Sequence, residues 1–311
     1  MSPDSKMRRL RYPGILNLKH YSFNSEGMAL VLTLMILTLI TAMVVEFAYG
    51  VYTSTSALYN WRDSQRLSFV AKSGVVMAVN TISGAPYSEL YRYLGREIPV
   101  PGIPEGFNGS FVIRAEDENS RFNLNSLRNA DSMKEFKRLL ANLGLDELIA
   151  ERVADWIDPD SDPWLRDSEE GTKNAFMDSV DELLLIKGID RQTYEKLSPY
   201  VTVYGFVGME DRRININTAA IPVIMSFNEN ITKEMAERLV RSRELEPFTT
   251  PGDLVNAGFA VNLSPDIITT DFPRNFRITS VSEENKIKRV IEGVVRVNRG
   301  SQGTIFYWRE M

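Results

Sequence analysis

The chain has 311 residues, 43% hydrophobic and 25% charged, which is the composition of a folded protein and neither a disordered segment nor a multi-span membrane protein. Its formal net charge is −5, which argues against a polyanion-binding surface as its main business, and it has no Cys, which excludes a disulfide framework. Its single His is His20, so imidazole chemistry has one candidate at most.

The first predicted element is apolar. Met28 to Val45 is a run of 18 uncharged residues ending at Glu46, about 27 Å as a helix and close to the thickness of a bilayer core. Lys6, Arg8, Arg9, Arg11 and Lys19 precede it against Asp4 and Glu26, so the positive-inside rule places the N-terminus in the cytoplasm and the rest of the chain across the membrane. A secretory signal has a shorter core and a small-residue cleavage site at its far end. Here the run continues as EFAYGVYTSTSALYNWRDSQRLSFVAKSGVVMAV, with no Pro before Pro86, which predicts one helix from Met28 to about Ile82.

A basic leader, a Gly at the inner edge and one long half-apolar helix resemble the type IV prepilins and pseudopilins. That resemblance implies cleavage by a prepilin peptidase between Gly27 and Met28, then methylation of the new amine. Loss of residues 1 to 27 removes five basic and two acidic residues, so the net charge moves from −5 to −8. The family usually has Glu at the fifth mature position, pairing with a neighbour's N-terminal amine. Here that position is Leu32, and Glu46 lies too far out to replace it. A buried carboxylate is costly unless paired, so Leu32 points to a subunit with no amine above it to satisfy, at a fibre tip; drift in an ordinary anchor is the plain alternative.

Residues 84 to 109 hold four Pro and five Gly and read as a loop-rich connection. SFVIRAEDENSRFNLN then alternates apolar and polar residues about a charged turn, which predicts a hairpin. From DSMKEFKRLLANLG to TPGDLVNAGF, apolar residues at three- and four-residue spacing predict an all-helical block from about Ser126 to Asp271. SRFNLNSLRNA at 120–130 echoes RRININTAAIP at 212–222, with Ser126 and Thr218 expected as N-caps; the echo is either coincidence or one structural device used twice. FRITSVS, IKRVIEGVVRVN and GTIFYWRE supply three further strands, with NRGSQG as the last turn.

DENSRFNLNSL, ADWIDPDSDP, LSPYVTVY, ININTA, PFTTPGDL and the terminal YWRE together resemble the general secretion pathway protein K family of minor pseudopilins. The resemblance implies an α+β fold: a transmembrane and amphipathic helix at 28–82, a pilin-like domain with an antiparallel sheet from 83–125 and 272–311, and an inserted helical domain at 126–271. It also implies a non-enzymatic subunit at the tip of the type II secretion pseudopilus that starts its assembly. Its location would be the inner membrane, with the bulk of the chain periplasmic. Its partners would be other minor pseudopilins, the major pseudopilin, prepilin peptidase and the inner membrane, with no nucleic acid.

ADWIDPDSDPWLRDSEEG gathers seven acids within sixteen residues, with Arg166 as the sole base. Oxygen-only ligands suit a hard cation; a solvated acidic loop is the alternative. Glu169 is twelfth from Asp158, as in an EF-hand, but Pro163 takes the place of that loop's turning Gly. The family resemblance implies Ca²⁺, and the ligands expected are Asp158, Asp160 and Asp162, then Glu169 and Asp167.

Two other functions compete. LLLIKGIDRQTYEKLSPYVTV and MAERLVRSRELEPFTTPGDLVNAGF resemble helix-hairpin-helix modules, which would suit a membrane-anchored DNA receptor, yet they lack the Gly-x-Gly turn and the charge opposes phosphate binding. No Gly-x-Ser-x-Gly, phosphate loop or zinc signature supports an enzyme. A minor pilin of a type IV pilus shares the anchor and is set apart by the helical insertion.

Overall fold

The computed structural model describes residues 25–99, 102, 107–160, 162–166, 171–259, 268–270, 272–298 and 303–311. The chain divides into two compact units, one ending at Trp61 and one from Arg62 to Met311. The long predicted helix is α1, Ser25–Gly84.

In the second unit, α1 gives way to α2 (Tyr87–Tyr93), inside the stretch expected to be loop, and then to β1 (Ser110–Asp117). β2 (Phe122–Asn123), α3 (Ala130–Asn142), α4 (Ile149–Ile157), α5 (Arg191–Leu197) and β3 (Val201–Thr202) form a first half of the inserted block. β4 (Ile214–Asn215), α6 (Ile221–Ser226), α7 (Lys233–Leu245), α8 (Pro251–Asn256) and β5 (Ile268–Thr269) form the second. β6 (Asn275–Glu284), β7 (Ile287–Arg296) and β8 (Thr304–Glu310) complete an antiparallel sheet in the order β1-β6-β7-β8.

The sheet and α1 belong together by pattern. Ala71, Val75, Ala78 and Ile82 recur at helical spacing and are buried with Ile113, Phe276, Ile278, Ile291 and Val295, which alternate along three strands. Gly74 faces the same surface. A Cβ there would lie 2.2 Å from Ser280 Oγ and 2.8 Å from the Phe111 ring, so only glycine allows this approach of helix to sheet. β6 and β7 join through Asn285 and Lys286, both at positive φ (52° and 67°), the two-residue turn whose twist matches the strands.

Several expectations are corrected. Residues 110–125 form no hairpin: β1 pairs antiparallel with β6, whereas β2 pairs in parallel with β3. The chain turns away at Glu118–Ser120, a single 3-10 turn, because Asp117, Glu118 and Asn119 are all buried and bonded in different directions. The inserted block is not purely helical, since β2/β3 and β4/β5 each close a half with a two-residue parallel ladder. SVDELLLIKG is a 3-10 segment, Val180–Leu185, opened by a capping box at Ser179 and Glu182. Ser126 and Thr218 are not N-caps. Asn129 caps α3, α6 starts after Ala220 with Pro in its first turn, and Thr218 Oγ1 turns to Asp117 instead. The expected NRGSQG turn lies largely outside the described residues.

The echo at an offset of 92 residues is a repeated device. Asn125 clasps the backbone of Met177, accepting from its N–H at 2.8 Å and donating to its carbonyl at 3.0 Å. Asn217 clasps Phe248 in the same way, at 2.8 Å for both bonds. In each half the side-chain amide ties the opening strand to a distant loop, and the apolar neighbours Phe122, Leu124, Ile214 and Ile216 fill one shared core.

Candidate functional surfaces

The apolar part of α1 is exposed from Met28 to Phe47. Over an 18-residue window its mean hydropathy is 2.7, and among the described residues it is the one helix long and apolar enough to cross a membrane. Its few polar side chains are turned inward. Thr33, Thr38 and Thr41 donate to the carbonyls of Leu30, Met35 and Leu37 at 2.8–2.9 Å, so no hydroxyl is left unbonded along the apolar face. Gly27 and Met28 both lie within α1, and nothing stands within 4 Å of where a Gly27 Cβ would be. Leu32 is 59% exposed, and Glu46 is exposed at the outer edge of the run.

The acidic loop follows α4. Asp155 is fully buried and its carboxylate accepts the backbone N–H of Trp164 at 2.9 Å and of Leu165 at 3.4 Å, which folds the loop back on the helix. Asp158 is the C-terminal cap residue of α4. Its Oδ2 accepts Trp164 Nε1 at 3.3 Å, while its Oδ1 is buried with no hydrogen-bond partner. Desolvation, with Asp160 and Asp155 nearby, raises the Asp158 pKa above the usual carboxylate range. Asp160 Oδ1 accepts the Asp162 N–H at 2.9 Å, and the Asp160 carbonyl accepts Asn174 Nδ2 at 3.0 Å. Asn174, in the left-handed region at φ 50°, also has a buried Oδ1 without a partner.

Asp158 and Asn174, each next to Asp160, leave one buried oxygen apiece without a partner, and oxygen donors of this kind suit a hard cation. Of the expected ligands, Asp158 and Asp160 come together, Asp162 is exposed on the same loop, and Asp167 and Glu169 lie outside the described residues. Among the described residues no three His, Cys, Asp or Glu side chains converge as a metal set. Asn174 was not legible as a partner because it lies fourteen residues from Asp160 and carries no charge.

A third group, missed in the sequence, sits where the inserted block leaves the sheet. Glu118 accepts Arg277 Nε at 2.5 Å, Arg121 Nη1 at 2.8 Å and the Thr202 hydroxyl at 2.5 Å. Burial pushes Glu118 up, but the guanidinium groups of Arg121 and Arg277 outweigh it and hold the carboxyl below its ordinary range. Asp117 accepts from Asn119 N–H, Asn215 Nδ2 and Thr218 Oγ1 at 2.5–2.8 Å, and burial pushes its pKa up to about 7. Asn119 Oδ1 accepts the N–H groups of Arg274 and Asn275 at 3.0 and 2.9 Å. Three consecutive residues thus bind the end of β1 to β6, to β3 and to β4.

With this geometry in place, comparison with known proteins is specific. Residues 120–206 match the first-domain model of type II secretion system protein K, and residues 214–266 match a second model of the same protein. The type II secretion system protein K of Pseudomonas aeruginosa is 34% identical over 165 residues, 47% of this chain and 48% of the relative. The chain therefore spans about half the length of that relative. The protein of the same description from Pectobacterium carotovorum is 27% identical over 246 residues, 68% of this chain and 74% of the relative. A chain in the crystal structure of the GspK-GspI-GspJ complex from the enterotoxigenic Escherichia coli type 2 secretion system superposes with a TM-score of 0.62 at 18% identity, covering 81% of this chain and 98% of that one. That likeness establishes the α+β fold. The two halves opened by Asn125 and Asn217 coincide with the two matched domains, and through both of them the chain is similar to type II secretion system protein K.

Proposed function

We propose that this chain is a non-enzymatic minor pseudopilin that caps the type II secretion pseudopilus and starts its assembly. The observation that carries this reading is the inserted two-half block between β1 and β6, set on a helix-and-sheet scaffold that alone would suffice for a fibre subunit. An insertion of this size is hard to fit into every repeat of a shaft, which supports a position at its end. The Met28 helix anchors in the inner membrane after a prepilin peptidase removes residues 1 to 27, and the rest of the chain lies in the periplasm. Its partners are other minor pseudopilins, in keeping with the GspI and GspJ named beside the structural relative, and then the major pseudopilin. A DNA receptor is not favoured: the net charge is −5, and in the first hairpin-like stretch Arg191 is held by Glu195 at 2.7 Å. Crosslinking of the chain within assembled fibres tests the proposal. Crosslinks confined to minor pseudopilins at one end are expected, and a regular distribution along the shaft would overturn it.

The acidic loop is proposed as a structural Ca²⁺ site held by Asp158, Asp160 and Asn174, with Asp162 next and Asp167 and Glu169 as candidates beyond the described residues. Bound Ca²⁺ would supply the positive charge and coordination that the two orphaned oxygens lack. At a hundredfold excess over the dissociation constant, one site would stabilise the fold by about 2.7 kcal/mol. The melting temperature of the full chain in detergent should rise with Ca²⁺, fall on chelation, and cease to respond in Asp158→Asn. Equal melting in Ca²⁺ and chelator would remove the site.

A further inference from the structure

The sheet ends on an open edge. Met311 and Val290 exchange both backbone hydrogen bonds, at 2.9 and 3.0 Å, which fixes the alternation along β8. Tyr307 and Arg309, opposite Val294 and Glu292, are then the residues bonded to β7, and Trp308 and Glu310 point their N–H and C=O groups outward. Among the described residues no strand lies beyond β8. Natural edges are commonly blunted by Lys or Pro; β8, TIFYWRE, has neither, and Ile305 and Trp308 remain 54% and 38% exposed.

Beside this edge is a cleft of about 300 Å³, lined mainly by apolar groups: Tyr204, Val207, Met209 and Phe306. Its outer wall, Gly205–Asp211, is braced from behind. Asn275 donates to the Gly205 carbonyl at 2.8 Å, Arg296 donates to the carbonyls of Gly205 and Val207 at 2.9 and 3.1 Å, and Asn123 donates to those of Met209 and Asp211 at 2.6 and 3.0 Å. A Cβ at Gly205 would lie 1.8 Å from the Gly208 carbonyl, so the tight turn of the wall requires glycine there. Phe306, stacked on Tyr204 at 6.0 Å, stands at the β-bulge where β8 meets the cleft. Rigid walls around an apolar space of this size suit one large aliphatic or aromatic side chain. Arg309, half exposed, reaches its nearest acid, Asp181, only at 3.9 Å, and so favours a carboxylate on whatever lies alongside.

We propose that β8 receives an extended strand from another minor pseudopilin, which pairs with the outward groups of Trp308 and Glu310, seats an apolar side chain in the cleft at Phe306 and carries an acid near Arg309. Unpaired strand backbone selects an extended chain as occupant, and the adjacent pocket gives it specificity. The identity of the partner rests on the function proposed above.

The test is amide hydrogen exchange on the full chain in detergent, alone and mixed with the purified minor pseudopilins of the same system. The Trp308 and Glu310 amides should exchange fast in the free chain and slow by roughly tenfold or more in the complex, while Tyr307 and Arg309 stay protected in both. Glu310→Pro removes one outward N–H together with the carboxylate's bonds to Ser68 and Lys72, spares the ladder to β7, and should weaken binding by roughly tenfold; Met209→Glu, at the cleft, should do the same. Unchanged Tyr307 protection shows that either variant is folded. A complex that leaves both amides fast, or that both variants join as the parent does, overturns the inference and leaves the pseudopilin reading intact. No complex at all removes both. Protection that appears in the chain alone as its concentration rises would assign the edge to a second copy and overturn the inference too.

Discussion

Glu118→Gln should lower the unfolding free energy of the full chain by about 3–5 kcal/mol, the usual consequence of removing one member of a buried ion pair. Glu118 is fully buried, and its carboxylate is shared by Arg121 and Arg277, both mostly buried themselves. The amide keeps the shape and can still meet Thr202, but it leaves two guanidinium groups without their common anion. Denaturant unfolding should show an earlier midpoint with an unchanged slope. A loss below about 1 kcal/mol would mean that Arg121 and Arg277 are sufficiently held by their other partners, Glu116 and Glu292. Because the native pKa of Glu118 lies below its ordinary value, its contribution is present above about pH 4.5 and is lost as the pH falls through the native value.

Asp117, its neighbour, should act with the opposite sign. Its native pKa is about 7 against 3.8 for the ordinary side chain, so between those values the folded chain holds a proton that the unfolded chain has released. Stability from this group is therefore greatest below about pH 4, falls as the pH rises, and levels off above about 7. Asp117→Asn should flatten that part of the stability profile. It should also cost about 1–3 kcal/mol at acid pH, because its amide N–H groups face donors on Asn215 and Thr218. Unfolding curves recorded from pH 4 to 8 decide the matter: parallel profiles for parent and variant would show that Asp117 does not titrate in this window.

The helix Met28–Ile82, the three C-terminal strands and most helices of the insertion are legible because each has a periodicity that only one regular structure satisfies. The N-terminal anchor is legible for a simpler reason, since length and hydropathy alone decide whether a helix matches a bilayer. Leu32 and Glu46 keep the places in the helix that counting gave them. The acidic loop is legible as a cluster of charge. Its geometry is not, because Asp155 is spent on the backbone of Trp164 and Leu165 while the uncharged Asn174 supplies an orphaned oxygen.

The DENS segment shows the limit most plainly. Read locally, four polar residues between alternating strands are a surface turn, yet Asp117, Glu118 and Asn119 are buried. Their long-range partners lie between 84 and 159 residues away, and local pattern carries no record of partners at that distance. The sequence by itself determined the membrane-length helix, the period of each strand and the two matching Asn motifs, because those depend on neighbours within a turn or two of chain. Only the tertiary structure decided that β1 pairs with β6 and not with the segment after it. It alone showed which acids are staples and which keep a buried oxygen without a partner, because burial and long-range hydrogen bonds fix the cost of a charge, and both exist only once the chain has closed on itself.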